Sequence, residues 1–358
     1  MASPRITVDP DGDLVLKFRG TEPPKGVTPA TDGKENTAPE PVELLVSSKV
    51  MSLASPFFKV ILQGRFKEGA EFVERKGSLD PYMLDLPEDD GEAGTILAKI
   101  LHYDLNDIAA RPSTSCLEKL AFMCDKYRCP GVLRFCGGIW LRDWVLVYEN
   151  GSIFGGPSID DLCRLLIFAY VADLASEFND IAWKLFLSHK GPLTGNFTQA
   201  VVLVDHPLLG HDIAQHLDAE RSKCCDMLHK GISAPLNRSW STQNSGCFRA
   251  AKAIGAYLKS LRETNFLPYD LEFTQHKFSD LLAKSSSVPI TNLSQFQCTL
   301  YNCTCQNELT YWLTTDFREQ VRLISDKRKS FVCLDCIKTE GKSAEDGVCR
   351  AKHSKPAL

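Results

Sequence analysis

The chain has 358 residues, 41 Lys and Arg against 45 Asp and Glu, and a net charge of -4. That length suggests two or three domains, a hydrophobic content of 44% suits ordinary packed cores, and the mild negative charge excludes any global attraction to nucleic acid or anionic membranes. The longest apolar run, Leu165 to Ala172, is far shorter than the roughly 20 residues of a spanning helix.

The opening, MASPRITVDPDGD, has no basic stretch followed by an apolar one, which predicts no secretory signal and a cytoplasmic or nuclear protein. Residues 6–18 read as a hairpin. Ile6 and Val8, then Leu14, Leu16 and Phe18, alternate with polar residues around Asp9-Pro10-Asp11-Gly12, where Pro fixes φ and Gly supplies a positive one. Gly20 to Pro41 holds five prolines, three glycines and four threonines. It cannot bury enough surface to offset its ordering entropy, so residues 20–41 are expected to be a disordered insertion.

Val42 to Val46 reads as a strand, and Lys49 to Gly64 as two short helices divided at Ser55-Pro56, because Ser is a good N-cap and Pro is tolerated at the first helical position. Phe58, Ile61 and Leu62 then face a core. Glu71 to Val73 and Tyr82 to Leu86 read as strands, Pro87 to Gly91 as a turn, and 93–103, 116–126 and 133–141 as helices. From residue 158 the pattern is almost wholly helical. Ser158 and Asp161 have capping-box spacing, Leu162, Leu165, Leu166, Ala169 and Tyr170 share one face, Ile181, Leu185 and Phe186 continue in a second helix, and 211–230 and 247–262 are expected helices.

Four segments carry a resemblance. Val46-Ser47-Ser48-Lys49-Val50-Met51-Ser52-Leu53-Ala54-Ser55-Pro56-Phe57-Phe58-Lys59 with its continuation through Gly69, Leu84-Asp85-Leu86-Pro87-Glu88-Asp89-Asp90, and Leu120 to Pro130 with its Cys124-Asp125-Lys126-Tyr127-Arg128-Cys129-Pro130 end resemble BTB/POZ domains in the order that family has them. With its tail the chain is similar to the BTB proteins that filamentous fungi carry in large numbers. Ser48-Lys49 stands where many BTB domains have His-Arg. The resemblance implies an α+β N-terminal domain, a small sheet flanked by helices, over residues 1–140. A mostly α-helical middle region over 141–290 and a cysteine-rich module over 291–358 complete the expected architecture. It implies a scaffold that binds other proteins rather than an enzyme. In adaptor members a hydrophobic-x-Glu motif contacts a cullin-3 scaffold of a ubiquitin ligase, and Phe66-Lys67-Glu68 sits at the matching place. The alternative is that Phe66 covers the core and Glu68 is merely solvated. A homodimer stays open, since the first strand begins near residue 6 and leaves little room for an added N-terminal element.

Fourteen cysteines are many. Cys116, Cys124, Cys129, Cys136 and Cys163, and similarly Cys224, Cys225 and Cys247, lie among apolar neighbours and read as small buried hydrophobes. The tail is different. Cys298, Cys303, Cys305, Cys333, Cys336, Cys349 and His353 fall within 56 residues, as a C-x-C pair, a C-x-x-C pair and a C-x3-H pair. Short loops of this kind let thiolates converge on one ion, and Zn²⁺ takes four N or S ligands. Two ligand sets are open, Cys303, Cys305, Cys333 and Cys336, or Cys333, Cys336, Cys349 and His353, with His276 as an eighth candidate. A closed shell of four points to a structural zinc. From Arg318 to Lys355 the ten Lys/Arg and six Asp/Glu give a mild basic bias, so a zinc-containing nuclear factor that binds nucleic acid is the alternative, although 337–348 lacks the helix a finger needs. No phosphate-binding loop, nucleophile elbow or H-E-x-x-H motif occurs. His206 and His211, near Asp205 and Asp212, read as a polar loop before a helix.

Overall fold

The computed structural model describes residues 5–20, 40–75, 78, 80–149, 157–194, 202–204, 206–209, 212–241, 248–266, 275–288, 317–341 and 347–350. The chain is mixed α+β and mostly helical, with one four-stranded sheet. It divides into two compact units, Met1–Pro157 with Arg164–Glu177, and Ser158–Cys163 with Phe178–Leu358. The segment expected to be a disordered insertion lies, but for its ends, outside the described residues.

In the first unit the strands are β1 (Arg5–Thr7), β2 (Leu14–Arg19), β3 (Val42–Val46) and β4 (Tyr82–Asp90), in the order β1-β3-β2-β4. β2 is antiparallel to β3, with Leu16 opposite Leu44, and parallel to β4, with Leu16 opposite Leu84. Successive strand side chains point to opposite faces, so Leu14, Leu16, Phe18, Leu44, Val46, Tyr82, Leu84 and Leu86, all buried, line one continuous face. Each fully buried residue of this kind contributes roughly 1.5–3 kcal/mol.

The expected hairpin is not formed. β1 pairs in parallel with β3, which lies between β1 and β2. The Asp9–Gly12 turn is present, its Gly12 N–H bonded to the Asp9 carbonyl at 3.0 Å. Yet the Val8 and Asp9 amides bond to Leu45, and this non-local pairing decides the neighbour. The expected turn at 87–91 is also absent. β4 runs to Asp90 through Pro87, which an edge strand tolerates, and a bulge opposite Phe18 and Arg19 absorbs the irregularity.

Helices α1 (Ser48–Ala54) and α2 (Pro56–Ile61) meet at Ser55, which ends one and caps the other. Its hydroxyl accepts the Phe58 N–H and donates to the Tyr127 carbonyl at 2.6 Å. Phe58 packs on the Tyr127 ring at 4.7 Å. Residues Lys67–Glu74 form helix α3, so the strand expected at Glu71–Val73 is a correction. Asp90 caps α4 (Gly91–Leu101), whose Gly94 lets the backbone sit on Phe18, 2.8 Å from where a Cβ would stand. α5 (Thr114–Lys126) and α6 (Leu133–Glu149) follow.

Next come α7 (Ile159–Val171) and α8 (Ala175–Ser188), then α9 (Asp212–Ser241), which continues through Pro235 past its expected end at 230. Ser158 and Asp161 form the reciprocal cap expected of them. α10 (Phe248–Glu263), α11 (Phe278–Ser287), a helix α12 over 317–326 and α13 (Leu334–Lys338) complete the second unit. Its centre is aromatic. Phe186 stacks within 4.4 Å of Phe278 and 4.7 Å of Phe331, and Trp183 meets Phe331 edge-on. Buried Arg221 donates to the carbonyls of Phe186 and His276.

Cys116, Cys124, Cys129, Cys136, Cys163, Cys224 and Cys225 are all buried, and Cys247 lies outside the described residues. No helix among the described residues is long and apolar enough to cross a membrane.

Candidate functional site

The first candidate is the face of α3. After α2 the chain turns at Gly64, whose φ of +79° favours glycine, and reaches Phe66, the residue before α3, in extended conformation. Gly69 is buried against this turn, 2.4 Å from Gly64 N where a Cβ would stand, so only glycine permits the approach. Tyr82 fixes the other side, donating to Glu71 Oε2 at 3.2 Å. Its phenol is pushed up to about 12, by burial first and then by this bond.

The result leaves Phe66 52% exposed and Val73 52% exposed, with Ala70 exposed between them. Ala70 and Val73, at i and i+3, share one side of α3, and Phe66 stands at its N-cap, so three exposed apolar residues lie along this helix. Glu68, half-buried in the first turn, sits where negative charge is favourable. Phe66 is thus about half exposed rather than enclosed in the core. Ala70 and Val73 escaped the sequence reading because 71–73 looked like a strand; their helical spacing was the signal.

The second candidate is in the tail. Cys333 precedes α13 and Cys336 lies in it, one helical turn on. Cys349 comes from residues 347–350, which are held by Asp335. This carboxylate accepts the Arg350 backbone N–H at 2.8 Å, Nε at 2.9 Å and Nη2 at 2.5 Å. The three sulfurs lie within 4.8 Å of one another, Cys336 and Cys349 at 3.5 Å. A tetrahedral zinc with Zn–S bonds near 2.3 Å needs sulfurs about 3.8 Å apart, so the trio fits three corners of such a shell. Burial, then the bonds to Cys349 and Cys333, push the Cys336 thiol up to about 12; a metal ion reverses that, since it binds the thiolate. Of the other expected ligands, Cys298, Cys303, Cys305 and His353 lie outside the described residues, and His276 does not join the cluster.

Two further features resolve into structural roles. A groove of about 500 Å³ is lined by Arg19, Glu88, Asp89, Asp90, Lys119 and Lys126 among others. Its charges are engaged: Asp89 accepts from Lys126 at 2.9 Å and from the Tyr127 hydroxyl, and Asp90 caps α4 while holding Lys119 at 2.8 Å. Burial, then the Asp89 bond, raises the Tyr127 phenol far above its ordinary value.

His189 is 1% exposed. Its Nδ1 pairs with the Gly191 carbonyl at 2.9 Å, and its Nε2 has no hydrogen-bond partner among the described residues. It borders a cavity of about 10 Å³ shared with Leu185, Leu217, Asp218 and Arg221, room for one water at most. Burial holds the imidazole below its ordinary value, against the upward pull of the Gly191 carbonyl, and nearby Arg221 adds to the lowering. A depressed folded pKa means the unfolded chain binds the extra proton first. The stabilisation is therefore full above about pH 6.5 and is lost as pH falls through the lower folded value. Denaturant midpoints of the second unit should fall between pH 7.5 and pH 5, and His189→Gln should flatten that slope; an unchanged slope would contradict the assignment.

His206 is buried, with Nδ1 accepting the Leu208 N–H at 3.3 Å, a loop role as expected; Asp205 and His211 lie outside the described residues.

Comparison with protein-family models, with curated proteins and with solved structures gives no match.

Proposed function

We propose that the chain is a protein-interaction scaffold of the BTB/POZ class, a substrate adaptor that offers its α3 face to a cullin-3-type ubiquitin ligase, with a structural zinc in its tail. The observation that carries this is the exposed apolar set Phe66, Ala70 and Val73 beside Glu68. An exposed aromatic ring can anchor an interface by entering a partner's pocket, and the carboxylate beside it can fix orientation. The order of elements supports the family reading: β2, β3, a helix pair split at Ser55-Pro56, α3, β4, then α4 and α5. The work of such a protein is positional, one part holding the ligase scaffold and another the client, in cytoplasm or nucleus. Affinity purification of the tagged chain is expected to recover a cullin-3-type scaffold, and Phe66→Ala with Glu68→Ala to lose it while the fold is retained; equal recovery by both forms would refute the reading.

For the tail, Cys333, Cys336 and Cys349 hold one zinc, with the fourth ligand from Cys298, Cys303, Cys305 or His353. Four protein ligands close the shell, so the ion fastens residues 347–350 to α13 rather than activating water. Native mass spectrometry with metal analysis should find at least one zinc per chain, removed by Cys333→Ser with Cys336→Ser. A folded, metal-free native chain would overturn this. The nucleic-acid alternative is less well supported, because Arg322, Lys327 and Arg350 are committed to Glu319 and Asp326, to Glu220, and to Asp335.

A further inference from the structure

The cysteines of this chain fall into two environments. Cys116, Cys124, Cys129, Cys136, Cys163, Cys224 and Cys225 are buried, which shields a thiol from oxidants. Cys336 and Cys349 are half-buried, beside Cys333. Within this trio the Cys336 and Cys349 sulfurs stand 3.5 Å apart. A disulfide needs about 2.05 Å, so the gap to close is about 1.5 Å.

What keeps them there is not the thiols. Asp335 and Arg350, the neighbours of Cys336 and Cys349 in sequence, are joined side chain to side chain and side chain to backbone. Thr339 donates to the Asp335 carbonyl at 2.8 Å, and the Gly341 N–H returns to the Cys336 carbonyl at 2.8 Å, so the α13 side of the pair is also fixed.

We propose that Cys336 and Cys349 form a reversible dithiol–disulfide couple whose oxidation competes with metal binding, so that the tail site is emptied by oxidants and refilled on reduction. The competition rests on the zinc reading above; the couple itself rests on the sulfur geometry. With hydrogen peroxide, one thiol, its pKa raised by burial, first gives up its proton; the thiolate attacks an oxygen, the O–O bond breaks, the hydroxide released takes up that proton, and a sulfenic acid and one water form. The second thiol attacks the sulfenic sulfur, the S–S bond forms, and a second water leaves. Two thiols and one peroxide give one disulfide and two waters, the sulfurs supplying both electrons. A small dithiol reverses it by exchange. Disulfide sulfurs no longer offer thiolate ligands, so two of the three described ligands are lost together. Bound zinc holds both thiolates and blocks the first attack.

The test uses the full chain, metal-free and zinc-loaded, exposed to hydrogen peroxide and mapped by mass spectrometry without reduction. The expected product in the metal-free chain is the Cys336–Cys349 disulfide, ahead of oxidation at any buried cysteine, and zinc is expected to suppress it. Asp335→Asn should slow its formation and weaken zinc affinity by about 10–100-fold, the usual effect of losing an outer partner that orients a ligand. A Cys333–Cys336 bond as the main product, or wild-type behaviour in Asp335→Asn, would overturn the proposal. A chain that takes zinc yet oxidises at the metal-free rate refutes the competition alone. A chain that never takes zinc but forms the disulfide refutes the zinc reading and the competition with it.

Discussion

Phe58→Ala is expected to destabilise the first unit by about 3–5 kcal/mol, the range for deleting a buried aromatic side chain. The Phe58 ring is 1% exposed and lies between Phe57, edge-on at 5.6 Å, and Tyr127 at 4.7 Å. The neighbours cannot collapse into the space. The Phe58 backbone is held by the Ser55 cap, and Ser55 is bonded to the Tyr127 carbonyl. Tyr127 in turn is tied through its hydroxyl to Asp89, the residue before the cap of α4. One side chain therefore stands at the junction of α2, α5 and β4. Denaturant unfolding followed by near-UV circular dichroism reads the loss, and Phe66→Ala, at the exposed N-cap of α3, is the control expected to change stability by less than about 0.5 kcal/mol. A smaller cost for Phe58→Ala than for Phe66→Ala would contradict the assignment of core and surface.

Asn179→Ala is expected to cost about 2–6 kcal/mol in the second unit, because it removes the side-chain hydrogen bonds to two backbone groups and each such loss is worth about 1–3 kcal/mol. Asn179, buried on α8, donates from Nδ2 to the Arg328 carbonyl at 2.8 Å and accepts the Val332 N–H on Oδ1 at 3.1 Å. The two partners fix which way the amide points. Asn179→Asp should not rescue it, since a carboxylate would face the Arg328 carbonyl with no proton to give. Val332 adjoins Cys333, so the same substitution should weaken zinc binding as well; unfolding curves and a competitive zinc titration check both effects. An unchanged midpoint would mean that the side-chain amide is not the anchor of this segment.

Much of the architecture was legible where local chemistry alone decides it. The Ser55-Pro56 break, the Ser158–Asp161 cap and the alternation in Leu14, Leu16 and Phe18 all need only neighbours in sequence, and each lies where the pattern put it. What was not legible depends on distant residues. Alternation tells which face a side chain takes but not which strand lies beside it, so β3 between β1 and β2 could not be foreseen from the Asp9–Gly12 turn. Glu71-Phe72-Val73 has strand-like residues, yet Gly69 closing on Gly64 and Tyr82 bonding Glu71 hold them in a helix. In the tail the C-x-x-C spacing announced two ligands. The spacing of Cys333, Cys336, Cys349 and His353 also offered Cys349 in one of the two candidate sets, and the structure brings these three sulfurs together; only the Asp335–Arg350 pair that holds Cys349 there carries no spacing signature. Asn179 gave no signal, since its partners are main-chain groups about 150 residues away.

The most direct test is a calorimetric titration of the purified chain with the purified N-terminal region of a cullin-3-type scaffold. Saturable one-to-one binding is predicted, weakened by about 2 kcal/mol or more in the Phe66→Ala, Glu68→Ala double variant, the threshold for hot-spot residues. No binding by the wild-type chain, or equal binding by the double variant with its unfolding midpoint unchanged, would contradict the account.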